Sequence, residues 1–269
     1  MARDTFDDGA APPPARPRFG VPPRLLAPNL VTLAALALGL TAIRFATEGS
    51  FLSAEYCIAG AAILDGLDGR LARAVGGASR FGAELDSLAD FVDFGVAPAI
   101  LLYRAALDPL GTPGWFAAIA FAVACALRLA RFNVALDGPD RPSWTRGFFT
   151  GMPAPAGAIV GLLPLHLALA LGAGPATRAT ATVSTAYVVA IAALMASRIP
   201  HFSGKDLPRV PRERYGLALF AVAAAILTLV AWPVWGLVIA SACYLASTPL
   251  AARRYAALEQ ADRAAQVAG

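Results

Sequence analysis

Six acidic side chains, Asp65, Asp68, Glu84, Asp86, Asp90 and Asp93, fall within 29 residues of a 269-residue chain that holds only 18 acids. On helical spacing Asp65 and Asp68 stand at i, i+3, and Asp86 and Asp90 at i, i+4. Each pair therefore shares a helix face, with Cβ atoms about 5–6 Å apart. The turn from Arg73 to Phe81 is short enough to fold the first helix against the second, so that the pairs converge. Carboxylates held this close repel: two charges 4 Å apart oppose each other by about 4 kcal/mol at an effective dielectric of 20. A divalent cation, or two, would neutralise the set, and all-oxygen ligands suit Mg²⁺ or Mn²⁺ rather than zinc. The same acids could also serve a proton relay or an ion-transport site. Gly69, Gly82 and the small Ala72 favour catalysis, because they let a bulky ligand approach the backbone. Arg73 then offers a phosphate partner.

The elements that carry these residues are apolar. The AVILMFWYC set makes up 58% of the chain, charged residues 15%, and mean hydropathy is +0.61. A soluble domain is about 45–50% apolar with glycine included, so the excess must face lipid. The chain reads as an all-α polytopic membrane helix bundle, and a disulfide scaffold, a nucleic-acid binder and a disordered chain are excluded. Eight continuous apolar runs are transmembrane candidates: Leu30–Ala46, Leu52–Ala72, Phe81–Leu107, Trp115–Phe132, Ala154–Leu171, Ala181–Ala196, Tyr215–Ala231 and Val234–Ala251. Continuity rather than alternation favours helices over strands. With the N-terminus inside, 19 of the 22 basic residues fall on the cytoplasmic side, and only Arg44, Arg104 and Arg178 lie at outer ends. That asymmetry predicts an even number of spans, cytoplasmic termini, and an acidic cluster facing the cytoplasm. The basic residues are topology signal, not a nucleic-acid patch.

Three parts are expected along the chain. Residues 1–24 form a disordered Pro-rich tail with no apolar signal region. Residues 25–210 form a six-helix catalytic domain. Residues 211–269 add two helices and a cytoplasmic end. Cys57, Cys125 and Cys243 read as small packing residues, His166 and His201 as structural or loop residues, and the four tryptophans as interface anchors.

The acidic stretch fills the pattern Asp-x2-Asp-Gly-x2-Ala-Arg-x8-Gly-x3-Asp-x3-Asp with Asp65, Asp68, Gly69, Ala72, Arg73, Gly82, Asp86 and Asp90, all eight positions in register. It resembles the signature of the CDP-alcohol phosphotransferase family. The resemblance implies a helical membrane enzyme of the cytoplasmic membrane, usually a homodimer, that moves a phosphatidyl group from a CDP-linked lipid to an alcohol. It implies one or two divalent metals on Asp65, Asp68, Asp86 and Asp90, with Asp90 as general base and Asp86 beside it. Gly69, Ala72, Arg73 and Gly82 would contact the CDP moiety. Asn29 and Thr32 resemble a polar pair that the family often sets near the nucleotide, and a helix N-cap is the other reading of them.

Three further segments, Phe94-Gly-Val-Ala-Pro98, Leu127-Arg-Leu-Ala-Arg131-Phe-Asn133 and Phe149-Thr-Gly151-Met-Pro153, are similar to the phosphatidylserine-forming branch of the family. The loop Ser197-Arg-Ile-Pro200-His-Phe-Ser203 is too. The implied substrates are CDP-diacylglycerol and L-serine. Arg128 and Arg131, at i, i+3, could hold the serine carboxylate with Asn133; positive-inside anchoring is their alternative. Asp93 either meets the serine ammonium or is a solvated acid at a helix end. The same chemistry on glycerol 3-phosphate, inositol phosphate or choline stays open, as does a cation or solute carrier.

Overall fold

A polypeptide in hydrocarbon must satisfy its backbone internally, and helices do so within one segment. The structure is a computed structural model that describes residues 23–74, 79–136, 142–203 and 215–268. The expected tail up to residue 22, Arg141, Lys205, Arg209, Arg212 and Arg214 lie outside the described residues. The order is α1 (Pro23–Thr47), α2 (Phe51–Ala74), α3 (Arg80–Phe91), α4 (Ala97–Leu102), α5 (Thr112–Leu136), β1 (Phe148–Thr150), α6 (Ala154–Gly161), α7 (Leu163–Ala170), α8 (Arg178–Ala196), β2 (Pro200–Phe202), α9 (Tyr215–Ala231) and α10 (Pro233–Ala268).

All eight expected segments fall on helix. By length and hydropathy alone, four stretches among the described residues suffice to cross a membrane: Ala27–Thr47, Thr112–Ala135, Arg178–Ala196 and Pro233–Gln266. The others fall short for identifiable reasons. Helix α2 carries the acids and arginines of the signature, and α9 has 17 residues. The third segment passes through π-helical turns at Val92–Val96 and Tyr103–Leu107. Pro98 explains the first turn: it cannot donate to the Phe94 carbonyl, and the Ala97 N–H bonds back to Val92 instead.

The fifth segment breaks at Leu162, between α6 and α7. Pro164 removes the donor that would meet the Val160 carbonyl, and the Tyr187 hydroxyl of α8 supplies it at 2.7 Å. Helix α8 opens on a reciprocal cap between Thr177 and Thr180. Its C-terminal end is held by Arg131, whose Nη1 donates to the carbonyls of Ala196 (2.8 Å) and Ser197 (3.1 Å).

Helix α1 packs chiefly on α2, α5 on α8, and α10 on α7, α9 and β2. Ala42, Ala46, Ala54, Ala61 and Ala97 are fully buried. Small residues are expected where association depends on close backbone approach rather than on escape from water. Large apolar side chains such as Phe116, Val183, Leu219 and Phe220 point outward, where lipid solvates them. Two of the three arginines expected at outer ends are paired with an acid one turn on, Arg44 with Glu48 and Arg104 with Asp108. Strands β1 and β2 form an antiparallel pair in the register Phe148–Phe202, Phe149–His201 and Thr150–Pro200.

Candidate active site

The acidic cluster sits where α1, α2 and α3 meet. One carboxylate oxygen each from Asp65, Asp68 and Asp86 lie within 4.8 Å of one another. Oxygens around one octahedral Mg²⁺-sized ion are separated by roughly 3–4 Å, so a small inward adjustment of three hard ligands fits such an ion. The donor set is all oxygen, as the residue types required. Asp68 is almost fully buried, and its Oδ2 accepts from the Thr32 hydroxyl of α1 at 2.7 Å. That bond fixes the carboxylate and leaves its second oxygen for the cluster. Asp90, one turn beyond Asp86, brings its carboxyl group close to that of Asp65. Glu84 is exposed and leaves the group, because two residues along a helix turn it to another face.

Beside Asp68 and Asp86 lies a cavity of about 130 Å³. Asn29 and Thr32 line it from α1, Gly69 and Ala72 from α2, and Gly82 from α3. The N-cap reading of Asn29 and Thr32 does not hold, since both lie inside a helix that begins at Pro23. A Cβ on Gly82 would come 3.0 Å from Asn29 Oδ1 and 3.1 Å from Ser79 Oγ, so this glycine keeps the cavity open. Ser79 caps α3 by accepting from the Gly82 N–H. Arg73 runs back along α2, with Nη1 3.8 Å from where a Gly69 Cβ would stand, and it is exposed at the rim.

The expected acceptor residues part company. Arg128 of α5 is the cation whose charge acts on both Asp90 and Asp65. It lines a second cavity, of about 220 Å³, with Arg131, Phe132 and strand β1. Arg131 faces that cavity with one nitrogen already committed to the end of α8. Asn133 does not join them: its amide donates to Ser87 of α3 at 2.9 Å. Asp93 is not a solvated acid. It is 1% exposed, sits in the first π-helical turn, and lies against Gly39 of α1, where any Cβ would overlap its carboxylate. The π-turn and the glycine together make room for it, and a sequence pattern shows neither.

The family model for CDP-alcohol phosphatidyltransferase matches residues 25–199. The chain belongs to that family. It is an integral-membrane transferase of phospholipid biosynthesis, and the cavity and the acid cluster both lie within the matched span. Its relatives include proteins named CDP-diacylglycerol–serine O-phosphatidyltransferase. That of Mycobacterium leprae is 42% identical over 223 residues, 81% of this chain and 72% of its own length. That of Mycobacterium tuberculosis H37Rv is 39% identical over 234 residues, 86% of this chain and 80% of its own. That of Helicobacter pylori 26695 is 34% identical over 208 residues, 77% of this chain and 82% of its own. Like other members of the family, which generally require a divalent metal, the chain carries a carboxylate cluster able to hold one.

Proposed function

We propose that the protein transfers the phosphatidyl group of CDP-diacylglycerol to the hydroxyl of L-serine, releasing CMP. The observation that carries this reading is the match, over most of both chains, to relatives bearing that name. The site geometry agrees with it. The cavity at Asn29, Thr32, Gly69, Ala72 and Gly82 takes the cytidine diphosphate end, with Arg73 at its rim. The second cavity takes serine, with the Arg128 guanidinium on its carboxylate. The two cavities adjoin the aspartates through Asp68 and Asp86 on one side and Arg128 on the other.

Asp90 takes the serine hydroxyl proton as the serine oxygen–phosphorus bond forms. The phosphorus–oxygen bond to CMP breaks, and its electron pair leaves on the CMP phosphate. Asp65, Asp68 and Asp86, with Asp90 adjoining, would hold a Mg²⁺ or Mn²⁺ ion, whose chemistry would be to neutralise charge on the pyrophosphate and the leaving group. Thr32 orients Asp68, and Arg128 keeps Asp90 and Asp65 in a balanced field. The reading sets the termini and the site on the cytoplasmic side of the membrane, in keeping with the arginine distribution, and the chain as a homodimer.

The test is CMP release from CDP-diacylglycerol by purified protein in detergent, with serine, glycerol 3-phosphate, inositol phosphate and choline as acceptors. Serine-dependent release that stops on chelation and returns with Mn²⁺ or Mg²⁺ is the expected result. Release with a different alcohol alone would retain the transferase and overturn the acceptor. Flux of an ion without cytidine chemistry would overturn both.

A further inference from the structure

The family match ends at residue 199, yet β2 and α10, which lie beyond it, reach the site. Strand β2 pairs His201 with Phe149 of β1, and Phe149 lines the Arg128 cavity. His201 is 1% exposed and lies parallel to the ring of Tyr244 in α10, centroids 5.8 Å apart and planes 11° apart. Tyr244 is in turn within electrostatic reach of the Arg128 guanidinium. A second contact lies three turns further along α10, where Tyr255 meets Trp144 and Phe148 edge-on at 5.1 and 5.4 Å. Residues 244 and 255 are eleven apart, so one face of α10 holds both. Helix α10 is therefore built against the β1–β2 pair and, through it, against the wall of the cavity.

Three buried polar atoms in this contact have no hydrogen-bond partner; one is Trp144 Nε1, and the other two belong to the His201–Tyr244 stack. His201 Nδ1 lies 2.9 Å from the Ile199 carbonyl oxygen. A carbonyl only accepts, so Nδ1 carries the proton. Burial holds the imidazole below its ordinary pKa, which keeps the ring neutral and leaves Nε2 as a bare acceptor. That Nε2 is buried without a hydrogen-bond partner, and so is the Tyr244 hydroxyl oxygen. Buried groups of this kind are costly unless something meets them, and here the Tyr244 hydroxyl is within electrostatic reach of the guanidinium that the serine reading gives to a carboxylate, with the His201 ring stacked on the tyrosine. A zwitterionic amino acid brings an ammonium within a few ångströms of its carboxylate, and an ammonium offers donors alone.

We infer that His201 Nε2 and the Tyr244 hydroxyl receive the ammonium of the amino-acid acceptor, beside Arg128, so that β2 and α10 complete the acceptor site. This deepens the serine assignment and rests on it. It also gives His201 a role that its position in a loop between apolar runs did not indicate.

The variants are chosen to spare the packing. Tyr244→Phe keeps the ring stack and deletes the hydroxyl. His201→Asn keeps a donor for the Ile199 carbonyl and deletes the acceptor at Nε2. Steady-state rates are measured on full-length protein with serine varied at saturating CDP-diacylglycerol. 3-Hydroxypropionate, which has the hydroxyl and carboxylate of serine but no ammonium, serves as a competing ligand. The expected result is a serine KM raised about tenfold or more in each variant, with the KM for CDP-diacylglycerol and the inhibition constant of 3-hydroxypropionate unchanged. An unchanged serine KM overturns the inference, and so does a parallel loss for serine and 3-hydroxypropionate, which would mark a packing role. A wild-type enzyme that uses another alcohol and not serine removes the assignment beneath it, and that outcome is read on the wild type alone.

Discussion

Single atoms decide the chemistry here. Asp90 lies within the reach of both the Asp65 carboxyl group and the Arg128 guanidinium, and Asp90→Asn preserves its shape while removing the group proposed as the base. The expected outcome is a turnover loss of about 10²–10⁴-fold, the usual share of general-base catalysis, in protein that still elutes as the wild type does. Gly82 works by absence of a side chain. Gly82→Val should raise the KM for CDP-diacylglycerol more than it lowers the rate at saturation, since the added atoms enter the cavity beside Asn29 and Ser79 rather than the aspartate cluster. Gly39 makes the same argument for packing. Gly39→Ala should lower the thermal midpoint in detergent by several degrees, because the methyl group falls on the Asp93 carboxylate. Adding Asp93→Ser should restore much of the loss by shortening the side chain it strikes.

At the level of elements, the broken helices are compensated locally. The proline in α7 frees the Val160 carbonyl, and a tyrosine from α8 closes it. Tyr187→Phe should therefore destabilise by about 1–3 kcal/mol, the cost of an orphaned buried acceptor, read by thermal unfolding in detergent. Pro164→Ala in the same background returns a backbone N–H to the Val160 carbonyl, and most of the loss should be recovered. Absence of that recovery would mean that the tyrosine acts through its ring. The signature acids also show how an element reads from sequence. The i, i+3 and i, i+4 spacings placed Asp65, Asp68, Asp86 and Asp90 on shared faces correctly, because helical geometry is local. For Asp93 the sequence left two readings, a partner for the serine ammonium and a solvated acid at a helix end, and the structure overturns the solvated one. That reading failed because Asp93 lies in a π-helical turn and is buried against Gly39 of α1, which leaves room for its carboxylate.

The molecule as a whole is tied together by groups far apart in sequence. Glu55 of α2 and His166 of α7 meet at 2.7 Å between Oε1 and Nε2, with side chains 3% and 1% exposed. Removing one partner of a buried pair typically costs about 3–5 kcal/mol, whereas replacing both with apolar residues is often neutral. Glu55→Leu should thus lower the unfolding midpoint strongly, and Glu55→Leu with His166→Leu should recover it. Full recovery would show that the pair joins helices and does not serve the reaction, a result checked by CMP release from the double variant. His166 offered no signal for this partner, because an acid 111 positions away in an apolar run is invisible to any local pattern. What the sequence determined alone was the membrane environment, the helical class, the acidic constellation and the glycines that line the cavity beside it. Each of these follows from composition or from spacing within one or two turns, where backbone geometry is already fixed. The tertiary structure decided the rest: which arginine lies within reach of the aspartates and which caps α8, the burial of Asp93 and Glu55, and the arrival of Tyr244 within reach of Arg128 with His201 stacked on it. Those, with His201 reached through the Tyr244 ring, depend on how rods cross, on where a proline widens a turn, and on which small residue lets a neighbour in. They are properties of pairs of helices, and a single helix's pattern does not contain them.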